Sequence, residues 1–425
     1  MEYQNNAPFA TKQDEEDPLK KFRSAYHIPV INGRQVIYLC GNSLGLQPKI
    51  TKEYIQYELD NWANLGVEGH FKGPQPWIKY HELFNPSLTK LLGAKEIEVT
   101  CMNNLTTNLH LLLASFYQPK GTRKKVIIEG GAFPSDHYAV ASHMRHLGVN
   151  PDEHMIELRP KDGVLFTTEE IIDCIIETGE ELSLILFPGI QYYSGQFFDM
   201  KAISAAAHEV GAYAGFDLAH AIGNLPLALH DDDADFATWC SYKYLNSGPG
   251  GVSGIYIHEK HCTEPDFHKL TGWWGHHPDT RFKMDNQFKP APGSDAWMLS
   301  NSNIISSAAH LAALKLFDET SMEELRAKSI KLTGFLEYLL LNDVILSSQL
   351  IIITPSDVNA RGCQLSILIE NNGKAIFDGL IARGVILDWR EPNVIRVAPT
   401  PMYNSFLDVF NFYTILKDLI GQKHA

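Results

Sequence analysis

Asp217 and Lys243 stand in the segments AYAGFDLAH and DFATWCSYKYLNSGPGG, an order that reads strand, turn, strand, lysine. A carboxylate that ends one buried strand can keep a pyridine nitrogen protonated, and an amine just past the next strand can bond an aldehyde. Together the two would hold both ends of a pyridoxal ring and let it act as an electron sink. Singly, each is ordinary: a lysine is normally a solvated charge and an aspartate a cap or turn former. The neighbours change that reading. Phe216 precedes the aspartate in an apolar run, and Tyr242 precedes the lysine after Trp239 and Cys240. Both charges therefore belong at the edge of a core, where an unpaired charge is costly and usually functional.

Other segments offer parts of such a site, each with a plainer explanation beside it. NNLTTNLHLLLASF puts Asn and Thr ahead of an amphipathic helix, whose free amides and dipole favour a phosphate dianion. An ordinary N-cap has the same look. GAFPSDHY follows the strand KKVIIEGG and offers Phe133, Ser135 and Asp136 in a turn; Phe133 could stack on a planar ring or belong to the core. SGPGG after Lys243 lets backbone approach a ligand, or is simply a turn. Arg396 alternates with Ile395 and Val397 on a strand, which suits a carboxylate-binding fork and a surface arginine equally. His70, in a glycine-flanked loop, fits a binding or a solvated histidine. His276 and His277 make no metal pair, because adjacent residues of a regular element rarely bind one metal and no Cys or carboxylate set completes a site. No metal is expected.

Short apolar runs alternate with helical patterns through the middle of the chain. KKVIIEGG, SLILFPGI, AYAGFD and SGIYIH read as buried strands, and Leu105, Leu109, Leu112, Leu113 and Phe116 recur at helical spacing. That alternation predicts an α/β fold: a large domain whose mostly parallel sheet is sandwiched by helices. A second region begins near SNSNIISSAAHLAALKLFDET. Ser321 and Glu324 form a capping box ahead of a helix, and CQLSILIE, KAIFDGLIARG and VIRVAP add two strands and a helix, giving a smaller α+β domain. The expected division is an N-terminal arm and joining segment over 1–60, a large domain over 61–305 and a small domain over 306–425. Residues 1–17, ending in Asp14, Glu15, Glu16 and Asp17, read as a flexible arm, followed by a short strand and turn in VIYLCGNSLGLQP.

Bulk properties narrow the class. A formal net charge of -14 argues against nucleic-acid or anionic-membrane partners, which need a basic face. The six cysteines are scattered without zinc spacing and read as free thiols in a reducing compartment. The polar, acidic N-terminus lacks a signal-peptide layout, and no apolar run approaches the roughly 18 residues of a membrane span. A cytoplasmic enzyme is expected.

The segments LCGNSLGLQP, GHF-x-G-x-x-PW, FDLAHAIGN, WCSYKYLNSGPGG, TGWWGHHPDTRFKMDN and IRVAPTPMYNSF resemble the kynureninase family of pyridoxal-phosphate enzymes across nearly the whole chain. D-x-x-H with S-x-K alone would indicate only the aspartate-aminotransferase-like fold type I, which hosts many chemistries. The WWGH-x-x-x-TRFKMDN segment and the GNSLGLQP entry are far more specific.

The resemblance implies roles residue by residue. Lys243 would bond the cofactor aldehyde, Asp217 would pair with the ring nitrogen, Phe133 would stack on the ring, and His220 would lie close by. Leu105, Thr106, Ser135, Asp136 and Tyr242 would surround the ring and phosphate, with Tyr242 also a proton donor. Trp273 and Asn301 would complete the cofactor and substrate site, partly from the neighbouring subunit of a homodimer. Ser43 and His70 would line the substrate pocket and Arg396 would hold the substrate carboxylate. The implied reaction is hydrolysis of the Cβ–Cγ bond of the small amino acid L-kynurenine, or its 3-hydroxy form, to an anthranilate and L-alanine, in tryptophan catabolism and NAD biosynthesis. Two other readings stay open. A cysteine desulfurase or β-lyase of the same fold would need a mobile cysteine, whereas Cys363 before CQLSILIE reads as a buried thiol. A non-catalytic relative would usually lack Lys243 or Asp217.

Overall fold

Alternate residues of the central strands feed two different cores, which sets the layering of the large body. In the computed structural model, which describes residues 2–421, Val126, Ile128, Leu184, Leu186, Ile255 and Ile257 pack on one side of a sheet. Ile127, Ile185, Phe187, Ala214, Phe216 and Tyr256 pack on the other. The period of two follows from the pleat of a strand, and helices must cover both faces because both are apolar.

The sheet has seven strands: β1 (Val99–Cys101), β2 (Lys125–Glu129), β3 (Met155–Leu158), β4 (Leu182–Pro188), β5 (Tyr213–Asp217), β6 (Phe236–Trp239) and β7 (Gly254–Ile257). Their spatial order is β1-β7-β6-β5-β4-β2-β3, and β7 alone runs against the rest. The four strands expected from the apolar runs are β2, β4, β5 and β7. Within this register Pro188 and Asp217 are partners, and Asp217 faces Thr238, so β2, β4 and β5 deliver their carboxyl ends side by side. In open α/β sheets that edge is where ligands bind.

A second, four-stranded antiparallel sheet has the order β8-β9-β11-β10, from β8 (Ile351–Ile352), β9 (Leu365–Leu368), β10 (Asp388–Arg390) and β11 (Val394–Val397). Seven helices matter to the argument: α1 (Ala7–Glu16), α2 (Thr51–Leu65), α3 (Leu105–Phe116), α4 (Pro134–His146), α5 (Ile304–Phe317), α6 (Met322–Leu341) and α7 (Phe406–Gly421). Leu332, Phe335, Leu336 and Leu339 of α6 share a core with the small sheet and α7. The capping box of Ser321 and Glu324 opens α6.

Residues 2–17 are not a flexible arm. Asn6 caps α1, with Pro8 in its first turn, and Phe9 packs on Phe335. Two acids of the cluster are used while Glu15 and Glu16 stay exposed: Asp14 accepts the free amides of Phe406 and Leu407 at the start of α7, and Asp17 forms a buried ion pair with Lys328, 2.7 Å long. Elements on either side of residues 60 and 305 also pack together. Leu311, Leu314 and Phe317 of α5 belong to the large core, α5 packs on α2, and α6 begins on one core and continues into the other.

The GNSLG segment follows a short parallel pairing of Ile37–Tyr38 with Val385–Ile386. Gly45 donates its N–H to the carbonyl of Tyr242 at 2.8 Å, and a Cβ at Gly45 would lie 2.3 Å from the carbonyl oxygen of Lys243. Only glycine permits that approach. Among the described residues no helix is long and apolar enough to cross a membrane.

Candidate active site

Lys243 leaves the turn after β6 with its Nζ 3.1 Å from Nε2 of His220. Burial, and then the nearby Lys243 charge, hold the His220 imidazole well below its ordinary pKa, so the ring is neutral and Nε2 accepts from the lysine. Asp217, at the carboxyl end of β5, accepts the Ala219 amide at 2.7 Å. Asp136, in the first turn of α4, faces it. Burial first and the neighbouring Asp217 second push Asp136 well above the usual carboxylate range. Asp217 is also raised by burial, but Lys243 and Asp136 pull it back. Lys243 and the Ala219 amide both favour the anionic form of Asp217.

One cavity is lined by Leu105, Thr106, Phe133, Ser135, Asp136, Asp217, His220, Tyr242 and Lys243. These are nine of the residues that the family resemblance implies around a cofactor. Thr106 and Ser135 sit in the first turns of α3 and α4, their hydroxyls 2.8 Å apart, so two helix N-termini converge on one wall. Asn104 caps α3, so the plainer N-cap reading also holds there. Phe133 is 46 % exposed and stands edge-on to Tyr192, with ring centroids 5.4 Å apart; it is not a core residue. Burial and the adjacent Cys240 raise the Tyr242 hydroxyl, keeping it protonated.

The donor set suits pyridoxal phosphate. Asp136 Oδ1 and His220 Nδ1 are buried polar atoms with no partner in the protein, in residues that line the cavity. An anionic carboxylate, an amine, an exposed aromatic face and two helix N-termini match a basic ring nitrogen, an aldehyde, a flat ring and a phosphate.

Arg396 lies beside this cavity and is fully buried, so the surface reading fails. Its Nη1 donates to the Tyr192 carbonyl at 2.7 Å, and Tyr192 is a wall of the cavity. Nη2 reaches Ser43 Oγ at 3.1 Å and Asp388 Oδ2 at 2.6 Å, and Ser43 Oγ also donates to Asp388. Ser43 and Arg396 are thus brought together.

His70, Trp273 and Asn301 do not line the cavity within one chain. His70 ends a 3-10 turn, Gly66–His70, edge-on to Trp77. The Trp273 indole donates to the Arg281 carbonyl and is 48 % exposed, whereas Trp274 is buried. Asn301 is exposed beside Asn103 and Asn104 in a separate polar hollow near the start of α3. His276 bonds Thr280 and His277 caps the turn Pro278–Arg281. Glu98, His230 and His258 cluster elsewhere, but the two imidazoles are stacked 4.8 Å apart at 15°, so their in-plane lone pairs do not converge on one ion.

Sequence reasoning missed Glu129, Gln191, Tyr192 and Asp388. Glu129 ends β2 at the cavity; burial raises its carboxyl to about 7 against the opposing pull of the Gly131 amide and Gln191. It carries the same signal as Asp217, an acid closing an apolar strand.

Two family descriptions match the chain: Aminotransferase class-V over residues 37–361 and Kynureninase C-terminal domain over residues 325–416. Kynureninase of Christiangramia forsetii is 47 % identical over 100 % of both chains. Kynureninase of Myxococcus xanthus is 48 % identical over 98 % of this chain and 97 % of its own. Among solved structures, the apo cysteine desulfurase of Thermococcus onnurineus superimposes with a TM-score of 0.77 at 18 % identity, covering 95 % of this chain and 98 % of that one. The cystine C-S lyase C-DES, in complex with its product cysteine persulfide, gives 0.75 at 18 % identity over 91 % and 97 %. At that identity the structural likeness speaks for the fold.

Proposed function

The chain belongs to the kynureninase family, and on that premise we propose that it hydrolyses L-kynurenine, or its 3-hydroxy form, to an anthranilate and L-alanine with pyridoxal phosphate as cofactor. The observation that carries this reading is the meeting of Lys243, His220 and Asp217 in one cavity whose Tyr192 wall is bonded to Arg396. The reaction belongs to tryptophan catabolism and NAD biosynthesis.

When bound, the cofactor supplies an electron sink for charge that develops on the substrate carbons. The chain's own residues do the rest. Asp217 would hold the ring nitrogen, and Phe133 would cover one ring face. The N-termini of α3 and α4, with Thr106 and Ser135, would receive the phosphate. Arg396 would take the substrate carboxylate and Ser43 would lie beside it. The Lys243 amine, next to a neutral histidine that accepts its hydrogen bond, is placed to move a proton at the substrate Cα. Tyr242, kept protonated by burial, would donate to the carbon that becomes the alanine methyl.

The outlying residues favour a homodimer with shared sites. Trp273, Phe282 and Phe71 form an exposed aromatic chain, with centroid distances of 5.5 and 5.9 Å, and Met284 is exposed in the same segment. Such a patch on an isolated chain suits a partner surface, and a second copy would bring Trp273, Asn301 and His70 toward the neighbouring cavity. The six free thiols fit the reducing cytoplasm.

Desulfuration is disfavoured by the cysteines: Cys363 is fully buried, its amide bonded to Asn224, and Cys240 is buried beside Lys243. The deciding experiment incubates cofactor-loaded protein with L-kynurenine and reads anthranilate fluorescence, with sulfide release from cysteine as the alternative product. Lys243→Ala should abolish turnover, and a fully active variant would sink the assignment. Comparing kcat/KM on the two kynurenines tests our inference that both are accepted.

A further inference from the structure

The turns that follow the neighbouring strands β2 and β4 are joined by one buried side-chain pair. Glu129 is 4 % exposed and Gln191 is 8 % exposed. Glu129 Oε1 accepts the Gly131 amide at 2.6 Å. The Gln191 amide nitrogen donates to the Gly131 carbonyl at 3.2 Å and to Glu129 Oε2 at 3.4 Å. Its carbonyl oxygen turns the other way and accepts from the amides of Tyr193 and Ser194, at 2.5 and 2.8 Å. Gln191 thus closes its own turn with one end and ties down the preceding turn with the other.

Each turn carries a piece of the site. The first ends in Phe133 and the second holds Tyr192, whose rings meet edge to face. The carbonyl of Tyr192 accepts from Arg396 Nη1 and from Gln364 Nε2, at 2.7 and 3.0 Å. The next two carbonyls continue the seam: Tyr193 accepts from Ser366 and Ser194 from Thr354. The second sheet is therefore seated on the same turn that Gln191 fixes to Glu129.

We propose that Gln191 is a positioning residue: paired with Glu129, it locks the Phe133 turn to the Tyr192 turn and so sets the ring-stacking face and the substrate-carboxylate arginine in one register. Two apolar side chains could fill the same space without desolvating a carboxylate and an amide. What they could not do is hold two backbone turns at fixed angles, which needs directional bonds. The inference rests on the roles of Phe133 and Arg396 given under the proposed function.

The test compares three holoenzymes. Gln191→Glu removes both donors and sets a second carboxylate against Glu129. Glu129→Gln with Gln191→Glu swaps the partners and restores the side-chain donor–acceptor pair, though not the bond to the Gly131 carbonyl. Gln191→Met removes the bonds at similar size and no charge. We expect Gln191→Glu and Gln191→Met to raise KM for L-kynurenine about tenfold, to shift the visible band of the bound cofactor and to speed cofactor release on dilution about tenfold. The swapped protein should move all three back toward wild type, by about threefold relative to Gln191→Glu. A merely structural role would lower the melting temperature and leave KM, band and release rate in place; that result in either folded single variant overturns the proposal. If Gln191→Glu does not fold, the swapped variant decides, and its failure to recover overturns the proposal as well. Wild-type protein that leaves kynurenine uncleaved would sink the functional reading instead, while band and release rate still test the pair.

Discussion

Asp388 stands opposite Arg396 across the β10–β11 ladder and grips its guanidinium from the side, Oδ2 lying 2.6 Å from Nη2 and Oδ1 3.3 Å from Nε. Arg390 reaches the same carboxylate, its Nε 3.1 Å from Oδ1. Two cations thus share one anion, Arg396 buried and Arg390 35 % exposed, which leaves a net positive charge to attract a substrate carboxylate.

That sharing makes the corner dependent on its one acid. Asp388→Asn leaves two guanidinium groups facing each other without an anion, and we expect a loss of about 3 kcal/mol in unfolding free energy. Formate, a carboxylate small enough to take the lost position, should restore part of it. Urea unfolding of the holoenzyme with and without formate measures both, and an unchanged midpoint would contradict the arrangement.

His310, on α5, has both ring nitrogens buried without a partner, and burial lowers its pKa to about 3. The folded protein keeps this ring neutral, while the unfolded chain takes up a proton below about 6.5. Its contribution is therefore complete above that value and is lost as pH falls toward 3. Between pH 7.5 and 5 the loss should be about 2 kcal/mol, and His310→Leu should be spared it. Unfolding free energies of both proteins at the two pH values provide the comparison.

Among the described residues Lys328 is the ion-pair partner of Asp17, and the pair ties the end of α1 to α6. Lys328→Ala should cost about 3 kcal/mol and make α1 the first segment cut in limited proteolysis. Cleavage confined to other loops would show that Asp14 and the start of α7 hold the helix unaided.

Shared sites predict complementation. Lys243→Ala and Asn301→Ala proteins, each inactive, should regain up to about a quarter of wild-type activity after subunit exchange, since half the dimers are mixed and each has one intact site. Demonstrated exchange with no recovery would assign Asn301 to its own subunit.

What the sequence disclosed depended on how far a residue's partners lie along the chain. Strands β2, β4, β5 and β7 were legible because each is a short apolar run, and the burial of their alternate residues is a local pattern. Asp217 and Lys243 were legible because each carries its apolar context with it. Glu129 carries the same apolar context, but its partner Gln191 lies 62 residues on, and Asp388 shows no role until Arg396 and Ser43 fold against it. Helix α1 was misread for the same reason: Asp17 and Asp14 look solvated until Lys328 and the start of α7 arrive from the far end of the chain. Arg396 stayed ambiguous because alternation gives the face of a strand but not what covers it.

The turn at residues 41–45 is synthesised early and becomes useful late. Its Gly45 seats against the backbone of Tyr242 and Lys243, its Asn42 bonds Gln364, and its Ser43 meets Arg396 across a sequence separation of 353 residues. A nascent chain on the ribosome can therefore build most of the large sheet, including the lysine and its aspartate, before Ser43 has an arginine to meet. Closing so wide a loop is slow. A complete substrate-carboxylate corner should accordingly form only after the segment bearing Arg396 has emerged, and partial chains should leave the apolar edges of the site open to chaperones.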